Sequence, residues 1–366
     1  MSKPFDVAVI GGGPAGCSTA LKLAHLGYRC LVVEKSDYSG VRVGETLPAA
    51  IRKLLTELRA WEHFLAAGYA PAYGIRSIWG SARIHEREAI FDAYGAGWHI
   101  DRSHFDRMLA ELVESAGGLM MRAARIDSLS ATNDGNWRLE IDRAGHSHRA
   151  EARILVDASG RRSAIARSLG AHRITLDRLI GCMALYRPEN PQVMKPRSML
   201  IEAAKDGWWY SAPLPDGREV AVYITDADLF AKLEGPPMSR LGELIGGAPQ
   251  TAERLEHFCL DHGPKVFAAN TSRLDRVWGK NWIAVGDSTM AFDPLSSQGV
   301  YRAVRSGLRA AEAIAGSCSI DNTGLTAYAA ELSSEFDQYM RQRRRYYSLE
   351  TRWSESDFWR RRHRPA

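Results

Sequence analysis

A short apolar run, Asp6-Val7-Ala8-Val9-Ile10, leads directly into Gly11-Gly12-Gly13-Pro14-Ala15-Gly16, and a second one, Cys30–Val33, ends at Glu34. Between them Ala15–Leu26 reads as a helix with small residues toward a sheet, stopped by Gly27. This pattern is a strand, a tight turn, a helix and a second parallel strand. Gly11, Gly13 and Gly16 stand at the spacing that lets a backbone turn sharply and approach a pyrophosphate seated on a helix N-terminus. Pro14 and Ala15 open the helix, and Glu34, with Lys35 beside it, is placed to meet an adenosine ribose. A chain that begins this way is constrained to an α/β fold with a dinucleotide site.

The 366 residues suggest about two domains. No apolar run approaches the length of a membrane span, and no cleavage site follows Val7–Ile10, so a cytoplasmic protein is expected. Cys17, Cys30, Cys182, Cys259 and Cys318 are scattered without metal or C-x-x-C spacing, which points to reduced thiols and no metal centre. The net charge is +5, but residues 341–366 alone hold nine arginines against three acidic residues. The rest of the chain is therefore nearly neutral, and a nucleic-acid-binding body is excluded.

Further along, Trp282–Val285 reads as a buried strand ending in Gly286-Asp287. The run Asp293-Pro294-Leu295-Ser296-Ser297-Gln298-Gly299 then opens a helix over 299–315. Ligands sit at the carboxyl ends of such strands. Asp287 suits a ribityl chain. Pro294, Gln298 and Gly299 would lie by a flavin ring, where a helix N-terminus favours the negative charge of the reduced state. Together the two stretches indicate FAD, held noncovalently. The FAD-binding domain is expected over 1–69, 100–175 and 269–325, and a β-sheet substrate domain over 70–99 and 176–268. A C-terminal helical, Arg/aromatic-rich segment is expected over 326–366. Within these, Leu47–Leu65 has helical spacing, and strands are expected at 75–79, 89–91 and 97–100. A meander is expected over 124–156, and a long polar helix from Tyr328 to about Leu349.

The N-terminal fingerprint, Asp157-Ala158-Ser159-Gly160 and Gly286-Asp287 resemble the three signatures of the group A flavin monooxygenases, a superfamily with a glutathione-reductase-like Rossmann fold that includes the flavin-dependent halogenases. Gly44-Glu45-Thr46-Leu47-Pro48 and Phe292–Gly299 resemble the halogenase branch. The C-terminal run from Arg344 to Trp353 and Phe358–Arg362 resembles the small flavoproteins that mature the tryptophylquinone cofactors of amino-acid oxidases. The resemblance implies that Arg102, Glu45, Thr46, Asp157 and Gly160 contact FAD. It also implies that reduced flavin and O2 form a C4a-hydroperoxide, with NAD(P)H as the expected donor. In halogenases a lysine after the Gly-Glu-Ser/Thr segment relays hypohalous acid. Between Lys53 and Lys195 this chain has none, which disfavours halogenation.

Trp79, Trp98, Trp208, Trp209, Tyr210 and Phe292 could line an aromatic cavity over the flavin, although ordinary strand packing accounts for any single one. Phe292, Pro294, Ser297 and, as a candidate base, His99 are the expected reaction-site residues. The arginines of the tail read either as a solvated helix face or as an outward basic surface that receives a partner protein. The expected activity is monooxygenation of an indole, on a tryptophan of that partner. The alternatives are a hydroxylase or halogenase of a free small aromatic, and a flavin-bearing chaperone without turnover.

Overall fold

The computed structural model describes residues 3–42, 44–88, 95–190, 192, 197–316 and 322–363. The expected strand at 89–91 and Cys318 lie outside the described residues.

Phe5–Ile10 is the centre of an eight-stranded sheet. It pairs in parallel with Cys30–Val33 on one side and His146–Asp157 on the other. Leu119–Met121 and Trp282–Ala284 extend the parallel run outward. Val7, Val9, Val32 and Val156 are β-branched and fully buried, as a sheet covered on both faces requires. The register places Ile10 opposite both Val33 and Asp157, and Asp157 opposite Ala284. Three distant parts of the sequence therefore end on one edge: the glycine turn, the 157–160 loop and Gly286-Asp287. The helices Pro14–His25 and Gly299–Gly316 cross above that edge. Their contact is close because residue 307 is glycine: a Cβ there would stand 2.4 Å from the Ala15 carbonyl oxygen.

A seven-stranded sheet lies over the cofactor layer. Its order is Phe258–Ala268, Leu179–Pro188, Glu219–Asp226, Gly207–Pro213, Met199–Ala204, Gly74–Ile78 and His85–Glu88. Gly97–His99 is not part of it. That strand pairs with Thr46–Leu47 and Ala70–Ala72 in a small separate sheet, and Trp98 packs at 5.4 Å from the rings of Trp61 and Phe64 in the cofactor-side core. The span 47–65 is not one helix but two, Ile51–Glu57 and Trp61–Ala66. Arg59 takes a left-handed φ of 55° between them and breaks the ladder.

The C-terminal segment is docked. The helix Thr323–Ser348 and the short helix Asp357–His363 bury Tyr347, Phe358 and Trp359 against the seven-stranded sheet, where the Trp359 indole N–H donates to the Ala204 carbonyl at 3.0 Å. The arginines do not all face outward. Arg362 is buried and pairs with Asp226 at 2.7 Å, and Arg343 turns inward to Asp177 and Asp293. Arg341, Arg344 and Arg345 are the exposed ones of the first cluster. Among the described residues no helix is long and apolar enough to cross a membrane.

Candidate active site

A cavity of about 340 Å³ opens at the shared carboxyl edge, between the two layers. Its floor is the glycine turn Gly13–Gly16 with Gly160 and Asp287. One wall is Gly44–Thr46 with Arg102, another is Phe292–Pro294 with Ser297–Gly299, and the roof is Tyr210, Val222, Ile224 and Phe267 from the upper sheet.

The glycines of the fingerprint divide their work. A Cβ on Gly11 would stand 2.2 Å from the Ala158 carbonyl oxygen, and one on Gly16 1.9 Å from that of Gly11, so these two let the chain pack on itself. Gly13, Gly160 and Gly299 border the cavity, and a Cβ on any of them would meet no protein atom within 4 Å. They leave room for something other than protein. The helix at Pro14 has no side-chain cap, so its first N–H groups point at that space.

The acidic residues of the motifs are less uniform. Glu34 turns its carboxylate back on the loop: Oε2 accepts from the Gly12 N–H at 2.7 Å and Oε1 from the Ser36 N–H at 2.9 Å, while Lys35 is exposed. Asp157 does not reach the cavity. Its oxygens accept from Ser159 N–H, Ala166 N–H and the Ser288 hydroxyl, so it holds the 157–166 turn against Gly286–Ser288. Asp287 does border the cavity, with Arg161 Nε 3.5 Å from its carboxylate. Arg102 opens the helix Arg102–Ser115. Its guanidinium is fixed by buried Asp106 through bonds of 3.2 and 3.1 Å.

Two residues were missed by sequence reasoning. Arg161 donates to the carbonyls of Asn270 at 2.6 Å and Phe292 at 2.8 Å, and so ties three cofactor-side segments together. Its place directly after Asp157-Ala158-Ser159-Gly160 was the available signal. Asp293 is buried at the cavity edge and is held by Tyr339, Arg343 and Tyr347. Those three recur every fourth residue, which puts them on one helix face.

Of the expected aromatics, Tyr210 and Phe292 line the cavity. The segment 208–210 cannot present three neighbouring side chains to one face, because a strand alternates. Trp208 shares the face of Tyr210 but packs on Trp79, and its N–H donates to the Tyr347 hydroxyl at 3.1 Å. Trp209 points the other way, onto Tyr223. Trp79 donates to the Tyr346 carbonyl. Trp79, Trp98, Trp208 and Trp209 are therefore packing residues away from the cavity. Phe292 is held between Arg302, 4.1 Å from its ring centre, and Tyr339. Ser297 adopts a left-handed φ of 47° that aims its hydroxyl at the Met199 sulfur, 3.6 Å away.

The polar end of the cavity is a chain of contacts. The Tyr210 hydroxyl is 3.3 Å from both Glu45 Oε2 and Thr46 Oγ1, and Thr46 Oγ1 is 3.3 Å from His99 Nδ1. Burial raises the Glu45 carboxyl above the usual carboxylate range. Burial pushes His99 down to about 4, so its ring is neutral at pH 7. His99 is one contact behind the cavity wall and is too weakly basic to take up a proton efficiently there.

A family model described as tryptophan halogenase matches residues 80–365. The chain belongs to this family. A second model, described as FAD dependent oxidoreductase, matches residues 6–46. The chain is 30% identical over 368 residues to the putative FAD-dependent oxidoreductase LodB of Marinomonas mediterranea, covering 98% of this chain and 97% of that one. In fold it resembles the myxobacterial chondrochloren halogenase CndH, with a TM-score of 0.89, 22% identity and coverage of 99% and 86%. It also resembles the peptidyl tryptophan dihydroxylase QhpG, essential for tryptophylquinone cofactor biogenesis, with a TM-score of 0.73, 22% identity and coverage of 98% and 79%.

The protein is thus an FAD-dependent oxidoreductase, and its residues fit FAD on geometric grounds. The open glycines and the uncapped helix suit the diphosphate. Asp287, Arg102 and the loop to Gly299 lie along the remainder of the cavity.

Proposed function

We propose that this protein is a monooxygenase that hydroxylates the indole ring of a tryptophan side chain on a partner protein, on the way to a tryptophylquinone. The observation that carries the reading is the cavity lining. It combines an apolar roof of Val222, Ile224 and Phe267 with the polar contact of Tyr210 and Glu45, and among the described residues its only cationic side chains are Arg102 and Arg161. A halogenase-type lysine is lacking both there and in the whole interval 54–194. The near full-length likeness to LodB supports the FAD-dependent oxidoreductase part of this reading, and the fold shared with QhpG, described as a peptidyl tryptophan dihydroxylase, supports its substrate class.

Gly13, Gly160, Asp287, Arg102, Gln298 and Gly299 would hold the cofactor. Bound and reduced by NAD(P)H, FAD would supply the activation of O2, with one oxygen atom passing to the ring and the other to water. The protein's own part is placement. Val222, Ile224 and Phe267 would cover the ring and exclude water, and Tyr210 with Glu45 would meet its N–H. The exposed Arg341, Arg344 and Arg345 offer the partner a basic docking face.

The family's matched description keeps a second reading in view, action on free tryptophan or another small aromatic. Mass spectrometry of a co-expressed partner subunit separates the two. Addition of one or two oxygen atoms to its tryptophan is expected. An unmodified partner, together with NAD(P)H oxidation stimulated by free indoles, would favour the small-molecule enzyme. An unmodified partner that matures without any flavin turnover would favour a chaperone.

A further inference from the structure

Asp293 is a buried carboxylate at the edge of the cavity, in the loop that leads to Gly299. Its Oδ1 accepts from the Leu295 N–H at 3.0 Å. Its Oδ2 accepts from the Tyr347 hydroxyl at 2.7 Å and from Arg343 Nε at 3.2 Å, and its own N–H donates to the Tyr339 hydroxyl at 2.9 Å. Tyr339, Arg343 and Tyr347 are one stripe of the helix Thr323–Ser348. The other limb of Arg343 donates to Asp177 Oδ2 at 3.0 Å, and Asp177 in turn accepts from the N–H groups of Leu179 and Thr271. The C-terminal helix thus supplies both the donors that fix the loop and the cation that neutralises it.

A buried carboxylate is costly without a counter-charge, and at low dielectric its field reaches neighbouring groups. Flavin reduction by an electron pair and one proton adds a negative charge at the place the 294–299 loop faces. An uncompensated Asp293 would oppose that step. We infer that Arg343 is a positioning residue that sets the reduction potential of the cofactor by pairing with Asp293, so that the C-terminal helix is an electrostatic part of the flavin site. This rests on the reading that the flavin ring lies beside residues 294–299. It is independent of the identity of the substrate.

The test uses the full-length holoprotein as wild type, Arg343→Met, Asp293→Asn and the double variant. FAD affinity is measured by fluorescence titration, and the two-electron midpoint potential by equilibration with a reference dye. Arg343→Met is expected to favour the oxidised form about tenfold, a drop of about 30 mV for a two-electron couple. Asp293→Asn is expected to raise the potential, and the double variant to return close to wild type. A loop that has merely loosened would shift all three variants the same way, so same-sign or absent shifts overturn the inference. If Arg343→Met does not fold, Tyr347→Phe removes one donor to Asp293 and keeps the cation. A drop smaller than that from loss of the cation is then expected, and Asp293→Asn decides: a potential that is unchanged or lowered in it overturns the inference. Failure of the wild type to bind FAD would overturn the cofactor reading as well, whereas normal binding without opposite shifts overturns this inference alone.

Discussion

The hydroxyl of Tyr210 stands 3.3 Å from Glu45 Oε2, a contact that joins the upper sheet to the cofactor layer across the cavity. Glu45 is buried and Tyr210 half-buried, and burial raises the Glu45 carboxyl. Removing Tyr210 takes a donor from Glu45, and removing Glu45 leaves Tyr210 with its Thr46 contact alone, a loss of about 1–3 kcal/mol. Tyr210→Phe and Glu45→Gln should each lower kcat/KM for the aromatic substrate by roughly tenfold to a hundredfold. Stopped-flow and steady-state assays check this. The Glu45→Gln profile against pH should lose an ionisation lying above the ordinary glutamate range. Full activity in Tyr210→Phe would remove the pair from the reaction.

Gly13 and Gly16 should respond oppositely to alanine. Gly13 has an ordinary extended backbone and empty space beside it. Gly13→Ala should keep its Tm and lose FAD affinity by about tenfold, since the added methyl enters the cofactor's space. Gly16→Ala forces a methyl against the Gly11 carbonyl and should cost about 1–3 kcal/mol or more of stability. Thermal melts and FAD titrations on the same preparations distinguish the two. A Gly13→Ala protein with unchanged FAD affinity would put the diphosphate elsewhere.

His99 makes the fold sensitive to acid. Its folded value is about 4 against an ordinary 6.5, chiefly from burial, with the Arg254 charge adding to the same effect. Between those values the unfolded chain binds a proton that the folded one does not, so stability falls as pH drops from about 6.5 to about 4. The loss is on the order of 3 kcal/mol across that window. His99→Gln should flatten it in denaturant titrations at pH 7, 6 and 5. Equal slopes for both proteins would show that the ring titrates normally.

The parts of this molecule that were legible in its sequence are those governed by local rules. Val7–Ile10 with the glycine turn announces a parallel strand and helix because both the spacing and the apolar run are short-range signals. The convergence of Gly286-Asp287 with that turn was legible for the same reason, since each motif ends its own strand. The direction of side chains across layers was not. Three aromatics in a row at 208–210 look like one wall, yet alternation sends Trp209 to the far face and the C-terminal helix covers Trp208. The arginines of the tail looked like a solvated run because their partners, Asp177, Asp226 and Asp293, are far away in the chain. Pairing over such separations has no local signature.

Arg161 offers a test of how the three cofactor-side segments are joined. Its guanidinium serves the carbonyls of Asn270 and Phe292 and lies by Asp287. Arg161→Met keeps the length of the side chain and removes all three contacts. It should lower stability by about 1–3 kcal/mol and weaken FAD binding together. Arg161→Lys, which cannot reach two carbonyls as a fork, should restore only part of either. A variant with wild-type FAD affinity and Tm would mean that the 157–166 turn and Phe292 are held by other contacts.

Trp208 separates packing from recognition. Its ring is fully buried, edge-on to Trp79, and its N–H donates to the Tyr347 hydroxyl that also serves Asp293. Trp208→Phe keeps an aromatic ring but removes that donor and leaves a small void. Its cost should be about 1–3 kcal/mol, read as a lower Tm and an earlier urea midpoint. Because Tyr210, two residues on, is the side chain that reaches the cavity, KM for the aromatic substrate should stay within about twofold in Trp208→Phe and rise in Tyr210→Phe. The reverse pattern, a raised KM with an unchanged Tm in Trp208→Phe, would place the Trp208 ring against the substrate and not beneath the C-terminal helix.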